Sequence, residues 1–180
     1  VVDSFIHVVE QYLTYPVNAK VQDAFSEGLM RVIHEEGLKV LDHPNDYDIR
    51  ANLMWAATNA LNVWIGQGVP QDWSSHRMGY SLTAQFGLDH AQTLAILLPG
   101  VMTYMFKEKQ AKLARMGEVV FGITDGTEEE RARKTIAACE DFFRRMGLKT
   151  HLGECGITEK DLDALAAPVD KPVSYTHLTL

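Results

Sequence analysis

Apolar residues recur every three or four positions along most of this chain, which is the spacing of one face of an α-helix. The first such stretch covers residues 2–13, with Phe5, Val8, Val9 and Tyr12 on its apolar side. The same pattern predicts helices over 18–36, 48–65, 71–86, 89–106, 107–121 and 127–146, and a short last helix from about residue 157. Neither strand–helix alternation nor a glycine-rich nucleotide loop of the GxGxxG or P-loop type occurs. The sequence therefore predicts an all-α, multi-helix fold.

Glycine, proline and capping residues mark where these helices begin and end. Gly37 is the expected end of the second helix, and Pro99 predicts a kink or a split in the fifth. Asp89 is a candidate N-cap, and Thr127 followed by three glutamates is a strong start signal. The third helix is expected in the core because it is rich in apolar residues, namely Met54, Trp55, Ala56, Ala57, Ala60 and Leu61.

Composition narrows the class of protein. The 180 residues are 46% hydrophobic and 23% charged, which suits one soluble domain. A net charge of −7 without a basic stripe argues against nucleic acid as a partner. No apolar run approaches the roughly 18 residues of a membrane span, and we expect no signal peptide. Cys139 and Cys155 predict two free thiols in a reducing, cytoplasmic protein.

Four residues offer metal-binding chemistry. Asp3 and His7 stand four apart in the first helix, so one helical face presents both side chains. His76 and His90 flank a short turn at 87–89, on two other predicted helices. One carboxylate and three imidazoles suit Zn²⁺ or Fe²⁺ better than Mg²⁺ or Ca²⁺. Taken singly, each has an ordinary alternative: a surface pair, a core histidine or a histidine at a helix start.

The remaining histidines receive no functional role. His34, His43 and His151 lie in loops or near helix ends and are expected to be solvated. His177 falls in a stretch from about Pro172 to Leu180 that is uncharged and β-rich after a strongly helical chain. We interpret residues 172–180 as a non-native tail, and we expect the chain to be truncated at both ends.

Long stretches around these residues are similar to one known family. They cover residues 1–12, 50–58, 68–73 and 87–96, and the similarity extends over about 1–165. They resemble the metal-binding helical domain of the iron-containing alcohol dehydrogenases, in particular the branch of NADPH-dependent aldehyde reductases and butanol dehydrogenases. The resemblance implies that Asp3, His7, His76 and His90 hold the metal, and that residues 1–171 form one helical metal-binding domain.

The resemblance also implies a reaction. A bound Fe²⁺ or Zn²⁺ polarises the oxygen of an aldehyde or alcohol, and hydride passes between the substrate and NADPH or NADH. In this family the nucleotide lies on a separate N-terminal α/β domain, which we expect to be absent from this chain. The fragment alone is therefore expected to be inactive, and the full-length protein is expected to be a homodimer.

Two positions depart from the pattern of close relatives. Four residues after His76 those relatives carry a second histidine, which is Tyr80 here, and Phe86 replaces another histidine found in some of them. Tyr80 is a candidate catalytic residue or a pocket-wall residue, whereas Trp73 and Phe86 are candidates for the substrate pocket or the core. Two other readings stay open: a related metal enzyme of the same architecture, such as a glycerol dehydrogenase or sugar-phosphate cyclase, and a non-enzymatic helical module.

Overall fold

The computed structural model describes residues 1–168 of the chain as a set of packed α-helices. Their bounds are α1 Val2–Tyr12, α2 Lys20–Asp42, α3 Tyr47–Ala60, α4 Ser74–Phe86, α5 His90–Tyr104, α6 Phe106–Phe121, α7 Glu128–Arg145 and α8 Leu162–Ala166. Two short 3₁₀ turns, Leu152–Cys155 and Glu159–Asp161, precede α8. No β-strand occurs between residues 1 and 168, and the predicted all-α fold is confirmed.

Helix α1 lies at the centre of this fold. Eight of its eleven residues are buried, and it packs against α2, α3 and α5. Phe5 of α1 contacts the rings of Phe121 on α6 and of Phe142 and Phe143 on α7. Burial on nearly all sides fixes the axis and rotation of α1, and therefore the direction in which its polar side chains point.

The start of α7 follows the sequence closely. The Thr127 hydroxyl accepts a hydrogen bond from the backbone N–H of Glu130, and the Glu130 carboxylate accepts one from the backbone N–H of Thr127. This reciprocal pair satisfies two of the amide groups that every helix start leaves without a partner in the helix. The predicted capping signal at Thr127 is confirmed.

The end predicted for α2 is wrong, because the helix runs through Gly37 to Asp42. Gly37 is buried against Phe142, and a Cβ placed there would lie 2.6 Å from Cγ1 of Val1. The glycine therefore permits close packing of neighbouring helices and does not act as a stop.

The prediction for α3 is also partly wrong. The helix ends at Ala60, five residues early, and the side chains of Met54, Trp55 and Leu61 are exposed. The Asn62 side-chain oxygen accepts a hydrogen bond from the backbone N–H of Trp64, which offers the chain an alternative to the helix. Of the six residues expected in the core, Ala56 and Ala60 are buried.

Helices α4 and α5 cross closely. A Cβ placed on Gly79 of α4 would lie 2.7 Å from the Thr93 hydroxyl of α5, so only glycine allows this approach. Helix α5 begins at His90 with Asp89 in the N-cap position, although the Asp89 side chain makes no capping bond. The helix continues through Pro99 to Tyr104, so the chain is not split at the proline.

His34 does not lie in a solvated helix end as expected. It belongs to the middle of α2, and its ring packs edge-on against Phe121 and Phe142. Burial is the main cause that lowers the pKa of this imidazole, and the nearby Arg145 guanidinium acts in the same direction. His43 and His151 are exposed, as expected.

Within residues 1–168, no helix is long and apolar enough to cross a membrane. Cys139 is buried in α7 and Cys155 lies in the first 3₁₀ turn, and both are free thiols as predicted. The stretch 172–180, interpreted above as a non-native tail, lies outside the described residues.

Candidate metal centre

Three helices bring the four candidate ligands together. Asp3 and His7 come from α1, His76 from the first turn of α4, and His90 is the first residue of α5. The Oδ1 atom of Asp3 lies 3.2 Å from His7 Nδ1, 3.9 Å from His76 Nε2 and 3.5 Å from His90 Nε2. One carboxylate oxygen is thus surrounded by three imidazole rings that are far apart in sequence.

Hydrogen bonds orient two of the rings. His7 Nδ1 donates to the backbone carbonyl of Asp3 at 2.9 Å, and His76 Nδ1 donates to the carboxylate of Glu10. Because a carbonyl or carboxylate oxygen can only accept, each Nδ1 carries the proton. The Nε2 atoms of His7 and His76 then hold the lone pairs that a metal ion needs.

Two buried atoms at the centre have no hydrogen-bond partner. They are Asp3 Oδ1 and His76 Nε2, a carboxylate oxygen and an imidazole nitrogen 3.9 Å apart. Burial of such atoms without a partner is costly. One divalent cation between them would satisfy both, and the carboxylate–imidazole donor set suits Zn²⁺ or Fe²⁺. The residues present therefore fit the metal that the resemblance implies.

The electrostatics of Asp3 and His7 also favour a cation at this point. The His7 imidazole, whose Nδ1 lies 3.2 Å from Asp3 Oδ1, is the main cause that holds the pKa of Asp3 below its usual value, against the opposing effect of burial. Burial acts to lower the pKa of His7, but its contacts with the carboxylate and the backbone carbonyl of Asp3 outweigh burial and raise this pKa. The Asp3 carboxylate is therefore a fixed negative charge that attracts cationic groups to this point.

The four candidate ligands differ in their exposure to solvent. The side chains of His7 and His76 are 12% and 7% exposed, whereas those of His90 and Asp3 are 40% and 42% exposed. A groove of about 2020 Å³ reaches the centre at His7 and His76 and continues between α4, α5 and the turn around residue 152. A small molecule could therefore reach the centre through this groove.

The three other predicted site residues lie in different places. Trp73 and Tyr80 line the groove, and the Tyr80 ring stacks on that of His90 with centroids 6.2 Å apart and planes 8° from parallel. Trp73 stands edge-on to His7 and His76. Phe86, at the C-terminal end of α4, is partly exposed and is not among the groove-lining residues, so the structure does not bring it to the site.

Glu10 is the residue that the sequence analysis missed. It is 3% exposed, although it stands on α1 one turn after His7. Its spacing from Asp3 and His7 places all three on one helical face, which is a signal the sequence contains. The sequence does not show the partners of this carboxylate. They are Ser75 and His76, which follow Glu10 by more than sixty positions.

Comparison with known proteins identifies the family. The profile of the Fe-containing alcohol dehydrogenase family, C-terminal, matches residues 1–173. The chain belongs to this family. It is 50% identical over 171 residues to the NADPH-dependent aldehyde reductase YqhD of Escherichia coli, and 32% identical over 166 residues to the NADH-dependent butanol dehydrogenase A of Clostridium acetobutylicum.

Solved structures show the same fold. The substrate- and cofactor-free form of the E. coli aldehyde reductase superimposes with a TM-score of 0.91 at 49% identity, over 93% of this chain. A butanol dehydrogenase from Thermotoga maritima gives a TM-score of 0.87 at 32% identity. The match to the E. coli reductase covers 95% of this chain but 44% of the reductase. The chain therefore spans less than half the length of that curated relative.

Proposed function

We propose that this chain is the metal-binding domain, residues 1–171, of an NAD(P)H-linked oxidoreductase that interconverts alcohols and aldehydes. The observation that carries the proposal is the convergence of Asp3, His7, His76 and His90 around two buried, unpartnered ligand atoms. Family membership supports it, since the relatives named above are an aldehyde reductase and a butanol dehydrogenase. We further propose a cytoplasmic homodimer as the full-length form.

The residues of the centre have distinct roles in this proposal. Asp3 and the three histidines hold Fe²⁺ or Zn²⁺, and the ion, when bound, polarises the substrate oxygen for hydride transfer. The Asp3 carboxylate reduces the charge of the loaded site. Trp73 and Tyr80 form the wall of the groove next to the imidazoles, where they exclude water from the substrate and limit its orientation.

The nicotinamide cofactor binds elsewhere in this proposal. Residues 1–168 contain no strand and no glycine-rich phosphate loop, which are the usual elements of a dinucleotide site. We propose NADPH as the hydride donor, because the E. coli relative named for NADPH shares more of its sequence with this chain than the relatives named for NADH.

Metal binding tests the first half of the proposal. The purified, metal-free chain should take up one Zn²⁺ per chain in competition with a chromophoric chelator, and His76→Ala/His90→Ala should abolish this uptake. The control is His43→Ala, which removes an exposed histidine that does not line the groove. Absence of uptake by the unmutated chain would refute the metal centre and favour the non-enzymatic helical module.

Turnover tests the second half. The chain alone should show no aldehyde-dependent oxidation of NADPH. Fused behind the part of the E. coli aldehyde reductase that precedes the matched region, it should gain this activity, and the His76→Ala/His90→Ala variant of the fusion should lose it. A fusion that is folded and metal-loaded but reduces only dihydroxyacetone-type substrates would point instead to the glycerol dehydrogenase-like alternative. Turnover of aldehydes by the isolated chain would contradict the assignment of the cofactor site to another domain.

A further inference from the structure

Glu10 is a buried carboxylate beside the centre that is not one of the four candidate ligands. Glu10 is 3% exposed, and both of its carboxylate oxygens are occupied. Oε1 accepts the backbone N–H of Ser75 at 2.6 Å, and Oε2 accepts Nδ1–H of His76. A buried carboxylate costs free energy unless its partners compensate, so this arrangement calls for a reason.

We propose that Glu10 is a positioning residue that fixes the tautomer and the orientation of the His76 ring for metal binding. The inference rests on the proposed metal centre. With Nδ1 protonated and donating to Glu10, His76 Nε2 carries the lone pair and lies 3.9 Å from Asp3 Oδ1. The carboxylate also complements the positive charge that the imidazole acquires when it binds a cation.

The backbone around Glu10 holds it rigidly enough for this role. Its carbonyl oxygen accepts the N–H of Asp72 at 3.0 Å, so the segment that precedes α4 is attached to α1 at the same residue. Glu10 thus ties both the start of α4 and the ring of His76 to the helix that carries Asp3 and His7. Three of the candidate ligands, Asp3, His7 and His76, are thus positioned by about two turns of α1.

An amide at this position reverses the hydrogen-bond pattern. In Glu10→Gln, the single side-chain oxygen can accept from the N–H of Ser75, and the NH₂ group then faces His76 Nδ1. That nitrogen must accept, which moves the proton to Nε2 and removes the lone pair from the ligand position. The substitution changes no volume, so its effect on metal binding reports on the tautomer.

The matched control acts at the same helix start without touching an imidazole. The Asp72 carboxylate accepts the backbone N–H of Ser74 at 3.0 Å, next to the amide that Glu10 accepts. Asp72→Asn makes the same change of carboxylate to amide. It should lower the stability of α4 but leave the tautomer of His76 unchanged.

The experiment measures Zn²⁺ affinity of the chain by chelator competition, with folding checked by circular dichroism. We expect Glu10→Gln to weaken Zn²⁺ binding about 10- to 100-fold, Glu10→Asp to restore part of it, and Asp72→Asn to bind as the unmutated chain does. Equal affinities for Glu10→Gln and the unmutated chain, or equal losses in Glu10→Gln and Asp72→Asn, would overturn the proposal. If the unmutated chain takes up no Zn²⁺, the metal centre itself fails and this inference fails with it.

A second measurement needs no variant. Two-bond ¹H–¹⁵N correlation spectra of the unmutated chain distinguish a protonated Nδ1 from a protonated Nε2 in each histidine. We expect His76 to show the Nδ1–H form in the metal-free chain. The Nε2–H form would overturn the proposal even if every variant at Glu10 failed to fold.

Discussion

Two lysines of α6 hold the C-terminal end of α1, and their unequal burial gives a quantitative prediction. Lys109 Nζ donates to the Leu13 carbonyl and to Asp72 Oδ2 at 2.7 Å. Lys112 Nζ, one turn later, donates to the Tyr12 carbonyl at 3.0 Å and to Asp23 Oδ1 at 2.7 Å. The contacts are similar, but Lys109 is 7% exposed and Lys112 is 19% exposed.

Replacing each lysine by methionine keeps the apolar stem and removes the charge. Breaking a buried ion pair costs about 3–5 kcal/mol, and because Asp72 retains some solvent contact we expect about 3 kcal/mol for Lys109→Met. The ion pair of Lys112 is more exposed, and exposed ion pairs contribute at most about 1 kcal/mol to stability. We therefore expect Lys112→Met to lower the free energy of unfolding by about 1 kcal/mol. With a urea m-value of about 2 kcal/mol/M, the midpoints should fall by about 1.5 M and 0.5 M.

Urea unfolding of the two variants, followed by circular dichroism at pH 7, measures both shifts on the same chain. Burial acts to raise the pKa of Asp72, but hydrogen bonds from Lys109 and Ser74 outweigh it and lower this pKa. The pair therefore stabilises the fold above the unfolded-state pKa of an aspartate, and its contribution is lost as the pH falls below about 4. Equal midpoint shifts at pH 7, or an effect of Lys109→Met that persists undiminished in acid, would refute the reasoning.

Three further predictions concern other parts of the chain. Thr127→Ala removes the cap of α7 and should cost about 1 kcal/mol in urea unfolding, and an unchanged midpoint would contradict the capping role. Since burial lowers the pKa of His34, the unfolded chain binds the proton more readily, and stability should fall as the pH drops below about 6.5. The difference in free energy of unfolding between the unmutated chain and His34→Gln should change over that pH range. Parallel curves of stability against pH would contradict this role of His34. Tyr80→Phe keeps the ring stacked on His90 and should leave turnover of the fusion enzyme nearly unchanged, whereas a large fall in kcat would assign the hydroxyl a catalytic role.

The parts of the fold that could be predicted from sequence are those fixed by local chemistry. Thr127 caps α7 because its hydroxyl and the carboxylate three residues later are neighbours in any helix start. The helix end predicted at Gly37 is wrong because sequence does not distinguish a glycine that ends a helix from one that admits a neighbouring helix. The core position predicted for the apolar residues of α3 is partly wrong for a related reason. Periodicity identifies the apolar face of a helix but does not show whether another element covers that face.

The candidate site also has parts that follow from local sequence and parts that depend on tertiary contacts. Asp3 and His7 share a helical face, so their proximity follows from spacing alone, while their meeting with His76 and His90 is expected from the ligand chemistry of the four residues and from the family resemblance, not from spacing. Glu10 could not be assigned because its importance depends on which ring lies opposite it after folding. A glutamate that shares a helix face with Asp3 and His7 carries no mark of that partner.

The unequal exposure of the four ligands sets the route by which an ion enters and leaves. The more exposed route to the ion passes Asp3 and His90, which do not line the groove that reaches the centre at His7 and His76. Tyr80 stacks on His90 at the edge of the groove, next to that route. A molecule lodged in the groove therefore leaves this route open, and the rate at which a chelator strips the site should change little as the groove is filled.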